Sequence, residues 1–187
     1  TFGTVDMQTL ENEVRTVGIV NFDETRLAQV APKFGGFVER LYADFTGQPV
    51  QRGQPLLEIY SPELVAAQEE LLVARRLEKT MDESAVPGVP AGSSNLLAAA
   101  RRRFRLWGIS EAQVDEILRT GEVQRALTLY APASGVVVEK NVVQGQATQP
   151  GQTLYTIANL SEVWVEAELR EADAGRVRVG SGANIEL

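Results

Sequence analysis

The sequence has 187 residues, 44% hydrophobic and 23% charged, enough for one or two folded domains of ordinary globular composition. With 18 Lys plus Arg against 25 Asp plus Glu the net charge is −7, which argues against a nucleic-acid-binding domain, because that needs a basic face to replace phosphate counterions. Histidine and cysteine are both absent, which removes Ser-His, Cys-His and thiolate chemistry, zinc sites built from those ligands, and disulfides.

Taken in chain order, Val14–Val20 and Leu27–Val30 read as two strands joined through Asn21-Phe22-Asp23-Glu24. A β half-motif follows. Phe37-Val38-Glu39-Arg40-Leu41 is a short alternating run, and Gly47 and Gly53 bracket five residues at turn spacing, where a positive φ is expected.

Residues 61–128 change to a helical pattern. Ser61-Pro62-Glu63 opens a helix with an N-cap, a proline at the first helical position and a carboxylate in the first turn. Leu64, Ala67, Leu71 and Ala74 form a narrow apolar seam, with Gln68, Glu69, Arg75 and Arg76 placed off it. The helix is expected to fade near Thr80 to Ser84, giving about 18 residues and a length of roughly 27 Å. Residues 85–94, which contain Pro87-Gly88-Val89-Pro90, read as a loop. A second helix from about Asn95 carries Leu97, Ala100, Phe104 and Trp107 on one seam and ends at Gly108. Ser110-Glu111-Ala112-Gln113 is a capping-box pattern for a third helix, with Val114, Ile117 and Leu118 apolar and Gly121 at its C-terminal cap. The insert is therefore an antiparallel helical hairpin with a broken return arm. Arg101-Arg102-Arg103-Phe104-Arg105 reads as a solvated face paired with Glu63, Glu69, Glu70 or Glu78, because Phe104 lies on the seam.

A second β half-motif repeats the first across that gap. Ala31–Arg40 aligns with Ala131–Lys140 and, after two extra residues in the first copy, Gly47–Ile59 aligns with Gly145–Ile157. With the first block continued through four unmatched columns to Asp44 and Gln144, 12 of 27 columns are identical, where chance gives about one or two. Each copy is too small to bury a core alone, so the two are expected to pack on one another. Beyond them, Val163–Leu169 alternates with period two as a half-buried strand. Glu171–Gly175 reads as a short helical turn or loop, and Ala183–Leu187 as a last strand. No run of 18 apolar residues occurs, so no segment reads as a membrane-spanning helix.

Two β half-motifs divided by a helical hairpin, followed by Leu160-Ser161-Glu162-Val163-Trp164-Val165, resemble the periplasmic adaptor (membrane fusion) proteins of the HlyD-like superfamily. Ala31-Pro32 with Gly35–Glu39, Tyr60–Glu69 and Leu106–Glu111 are similar to the CusB-type adaptors of heavy-metal efflux systems. The resemblance implies an α+β multidomain fold. It comprises a lipoyl-like β-sandwich from 30–60 plus 129–158, an α-helical hairpin from 61–128, and a partial β-barrel from 1–29 plus 159–187. It further implies a non-catalytic periplasmic protein without cofactor, whose partners are an inner-membrane resistance-nodulation-division (RND) transporter and an outer-membrane channel, and whose copies assemble in a ring, commonly of six. The hairpin tip, Pro87, Gly88, Val89 and Pro90, would face the channel. The family's signal, membrane anchor, membrane-proximal domain and the rest of the barrel are expected outside these residues.

Family members that handle copper or silver bind the ion through methionines near the N-terminus. Only Met7 and Met81 occur here, too few and too far apart for a three-ligand thioether site, so no metal site is assigned and Met7 stands as the one candidate ligand. The alternative function is a lipoyl- or biotinyl-type carrier domain, which needs a lysine on the tight turn joining the halves. Lys33, Lys79 and Lys140 all lie elsewhere in the pattern. A hydrolase built on a carboxylate pair has no pair that stands out by spacing, since Glu69/Glu70 and Asp82/Glu83 read as helix surface and loop.

Overall fold

The four turn glycines adopt the conformation that their spacing predicts, with φ of 94° at Gly47, 83° at Gly53, 83° at Gly145 and 80° at Gly151. Each is followed by a glutamine, and the glutamines explain the Gly-Gln repeat. The side-chain carbonyl of Gln54 accepts the Gln51 N–H at 2.9 Å, while the Gln54 N–H donates back to the Gln51 carbonyl at 2.9 Å. Gln146 with Val143 and Gln152 with Gln149 repeat this closed pair, and Gln48 accepts from the Asp44 N–H. Each half-motif thus seals its two turns with its own side chains.

The structure, a computed structural model, describes residues 13–83 and 93–186. It divides into two units, one holding the chain ends up to Phe22 and from Glu162, the other Asp23–Ser161. The larger unit contains strands β2 (Leu27–Val30), β3 (Gly36–Leu41), β4 (Pro49–Val50), β5 (Pro55–Tyr60), β6 (Ala126–Tyr130), β7 (Gly135–Lys140), β8 (Ala147–Thr148) and β9 (Tyr155–Ala158). They form two four-stranded antiparallel sheets, ordered β2-β9-β7-β4 and β6-β5-β3-β8. With β2 counted to the first half and β6 to the second, each sheet takes two strands from each half, so neither half is a finished sheet without the other. One core is shared between them: Val38, Leu57, Ile59 and Leu127 from one sheet meet Val50, Val137, Tyr155 and Ile157 from the other. The Tyr155 hydroxyl donates to the Ala43 carbonyl at 2.7 Å, and burial pushes its pKa well above the ordinary phenol value, with Asp44 adding to the shift.

The fold also corrects the sequence register between the halves. The Gly145 N–H donates to the Val38 carbonyl, and the Gly47 N–H donates to the Val137 carbonyl, so Val38 corresponds to Val137. Matching Ala31 with Ala131 would instead pair Val38 with Val138. Val38 and Val137 are both buried, whereas Val138 is half-buried. A one-residue slip in a strand exchanges its inner and outer faces, so core burial decides the register where side-chain identity misleads.

Leu27–Val30, expected with the partial barrel, is an edge strand of the sandwich, paired with β9 from Leu27↔Ala158 to Val30↔Tyr155. A 3₁₀ turn, Glu24–Arg26, leads into it. Asp23 caps this turn, accepting from the Thr25 N–H at 2.9 Å and the Thr25 hydroxyl at 2.6 Å, and these bonds hold its carboxyl below the usual range.

The smaller unit is an antiparallel ribbon of β1 (Gly18–Phe22) and β10 (Val163–Ala167), in register from Gly18↔Ala167 to Phe22↔Val163. Every residue of β10 is exposed, in contrast to the half-buried strand predicted, because two strands have no second layer to stack against among the described residues. The short helix α4 (Glu171–Ala174) follows. The predicted strand at Ala183–Leu187 does not form through residue 186, and Leu187 lies outside the described residues.

Candidate functional site

Between β5 and β6 the chain leaves the sandwich as three helices, α1 (Pro62–Glu83), α2 (Ser93–Trp107) and α3 (Glu111–Thr120). Ser61, fully buried, accepts from the Leu64 N–H through its hydroxyl and from the Val65 N–H through its carbonyl. The helix runs to Glu83, 22 residues or about 33 Å, longer than the sequence suggested. Without a strong breaker the propensities of Leu77 to Glu83 carry it on. The return arm breaks at Gly108, whose φ is 82°. The capping box then forms with both Ser110 and Gln113 contributing, and Gly121 closes α3 with φ 69° and an N–H to Ile117 carbonyl bond.

The inner faces agree with the predicted seams. Leu64, Ala67, Leu71, Ala74, Leu97, Phe104, Val114 and Ile117 are all buried. At the root, Trp107 meets Phe34 of the sandwich edge-on at 6.5 Å and Phe104 at 5.9 Å. Gln68, placed off the seam by the sequence, is instead completely buried, because the incoming segment before β6 crosses that face of α1 and offers its backbone to the amide.

The arginine run on α2 serves this root. Arg103 stacks 4.9 Å above the Trp107 ring and reaches Glu70 at 2.6 Å, one of the predicted partners. Arg101 pairs with Glu111 and Asp115, and Arg105 with Glu111. Those acids sit on α3, which folds back beside α2 after Gly108, so a tertiary turn rather than α1 supplies the counter-charges. Such exposed pairs contribute little individually.

A second apolar stripe runs beside the buried one. Ala66, Val73 and Leu77 on α1 face Leu96 and Ala99 on α2 across a shallow groove bordered by Glu69, Glu70 and Arg103. Val73 and Leu96 are 51% and 54% exposed. Positions 66, 73, 77 and 81 form a heptad-like row in the sequence, and the narrower buried seam through Leu64, Ala67, Leu71 and Ala74 already accounts for the helix without it. A helix apolar on two faces is suited to contact with another helical surface rather than to chemistry on a small molecule.

The candidate tip residues Pro87, Gly88, Val89 and Pro90 lie outside the described residues, as does Met7. Met81 is on α1, about half exposed. Lys33 and Lys79 are exposed, and Lys140 sits at the end of β7, 3.5 Å from Asp44; none occupies a turn joining the half-motifs. Among the described residues no group of three acidic side chains is placed to hold a metal ion, and no helix is long and apolar enough to cross a membrane.

Comparison with known proteins identifies this arrangement. The family described as "CusB, barrel-sandwich hybrid domain" matches residues 27–158, which are the first residue of β2 and the last of β9, with the helical arm between them. The Cation efflux system protein CusB of Escherichia coli is 28% identical over 162 residues, 87% of this chain and 37% of that protein. The Cobalt-zinc-cadmium resistance protein CzcB of Cupriavidus metallidurans is 31% identical over 188 residues, 92% of this chain and 35% of that protein. The chain thus spans little more than a third of the length of the curated relatives it matches. The crystal structure of ZneB from Cupriavidus metallidurans shares the fold, with a TM-score of 0.54 at 23% identity over 86% of this chain and 72% of that one.

Proposed function

We propose, from the premise that the chain belongs to the CusB barrel-sandwich hybrid family, that it forms the central part of a periplasmic adaptor. The adaptor couples an inner-membrane RND pump to an outer-membrane channel for the export of heavy-metal cations. It works on the periplasmic side of the inner membrane, in a ring of six copies, and performs no catalysis. The β1–β10 ribbon begins a β-barrel domain, the sandwich is the frame, and the helical arm reaches toward the channel with Pro87–Pro90 at its tip.

The observation that carries this reading is where the arm is inserted. It occupies the link between two half-motifs that complete each other's sheets, so both of its ends are fixed by the frame. A stiff projection about 33 Å long with an exposed apolar stripe transmits position and offers a docking flank, which is the work of an adaptor. The printed roles of the relatives, cation efflux and cobalt-zinc-cadmium resistance, supply the cargo class in the proposal.

Substituting Gly88→Glu and Val89→Trp in the full chain tests the tip. The expected result is loss of metal resistance in cells and loss of channel crosslinking, with an unchanged melting temperature. Retention of both resistance and crosslinking would overturn the reading.

A further inference from the structure

Leucine is the ordinary occupant of a fully buried position on a helix seam, because a buried amide costs stability unless its bonds are made. Position 68 nevertheless carries glutamine, and the amide is satisfied at both ends by one residue. Its oxygen accepts the Gln124 N–H at 2.8 Å, and its nitrogen donates to the Gln124 carbonyl at 2.9 Å. The pair closes a ring across 56 residues of sequence, joining the second turn of α1 to the segment that enters β6.

A second glutamine does the same from a different helix. Gln113 of α3 uses its oxygen in the capping box, accepting from Ser110, and its nitrogen donates to the Thr128 carbonyl of β6 at 3.0 Å. Gln124 and Thr128 lie four residues apart on one segment, and β6 is the edge of its sheet. Both the outgoing and the returning part of the arm are therefore tied by directional amide bonds to β6 and the segment that leads into it. Edge-on packing at the root, of Trp107 on Phe34 and Phe104, orients those rings but involves neither α1 nor β6. Hydrogen bonds supply direction.

We propose that Gln68 and Gln113 are positioning residues: two side-chain straps that fix the direction of the helical arm on the sandwich. The consequence for efflux rests on the adaptor reading above. The straps themselves are measurable without pump or channel.

Two variants separate strapping from packing. Gln68→Met keeps the volume and removes both bonds to Gln124. Gln113→Glu keeps an acceptor for the capping box, in which glutamate is an accepted partner, and removes only the donor to Thr128. The sequence has no cysteine, so spin labels at Lys79→Cys on α1 and Arg52→Cys on the sandwich report the arm-to-frame distance in the full chain. In the double variant the distance distribution is expected to broaden while helix content holds. In Gln68→Met the Gln124 amide should exchange with solvent about tenfold faster, as for the loss of one hydrogen bond. Exchange at Val38 and Val137 in the sandwich should stay at the parent rate.

An unchanged distribution and an unchanged Gln124 exchange rate overturn the proposal. So does equal acceleration at Gln124, Val38 and Val137, which would make the glutamines general core residues with no directional role. If the straps behave as expected but the tip substitutions leave resistance intact, the adaptor reading fails and the straps stand.

Discussion

Gly36→Ala probes the point where the sandwich hands the chain to the arm. A Cβ on Gly36 would stand 2.3 Å from the Tyr60 carbonyl oxygen and 2.7 Å from the Ile59 Cγ2. Ordinary contact needs about 1 Å more, so β3 and β5 must separate at the pair Phe37↔Tyr60. Tyr60 is the last residue of β5 and the next residue, Ser61, caps α1, so the displacement falls on the root of the arm. Overpacking of about 1–3 kcal/mol, together with a weakened ladder bond of about 1 kcal/mol, gives a destabilisation of about 3 kcal/mol. For a chain of this size that lowers the melting temperature by about 6–12 °C. Thermal unfolding followed by circular dichroism measures it. The internal repeat supplies a twin: a Cβ on Gly135 stands 2.3 Å from the Ala158 carbonyl oxygen, so Gly135→Ala should cost the same within about 1 kcal/mol. Gly175, at φ −69° with nothing near its Cβ position, is the control and should accept alanine without loss. If Gly36→Ala melts within about 2 °C of the parent, the close approach does not constrain the strand and the reasoning is refuted.

Two further outcomes follow from side-chain bonds in the sandwich. The Gln54 latch uses only the amide oxygen among its described bonds, so Gln54→Glu should change the stability by no more than about 0.5 kcal/mol and Gln54→Ala should cost about 1 kcal/mol, read from denaturant midpoints. Tyr155 is held neutral in the folded state by burial, with a pKa above that of the unfolded phenol. Above about pH 10 the unfolded chain releases the proton first, so stability is full below that pH and falls as pH rises. Tyr155→Phe should remove this tyrosine's share of the alkaline loss, and a pH series of melting temperatures in both proteins checks it.

The exchange of strands between the half-motifs was only partly readable in advance. The self-match showed that the halves belong together, because Gly-Gln pairs recur at fixed spacing within a run of aligned identities. It could not show that β4 pairs with β7 and β8 with β3, since two-residue strands carry no pattern of their own. The partners of Arg101 and Arg105 were missed for a related reason: α3 lies beside α2 only after the turn at Gly108, and charge spacing along one helix does not contain that turn. Of the candidate interaction site, the arm and its buried seams were legible, while the exposed stripe through Val73 and Leu77 was visible in the spacing yet took its meaning from the facing Leu96 and Ala99.

By itself the sequence determined what depends on a few neighbouring residues: where turns need a positive φ, where Ser61 and Ser110 start helices, and which helix positions repeat with a period near 3.6. These are backbone and side-chain preferences over one or two turns of chain, and they act before any tertiary contact forms. Only the tertiary structure decided that Val137 rather than Val138 matches Val38, that Leu27–Val30 joins the sandwich, and that the amide of Gln68 lies inside. Each of those depends on which backbone arrives from more than fifty residues away to receive a hydrogen bond or exclude water, and no local preference carries that information.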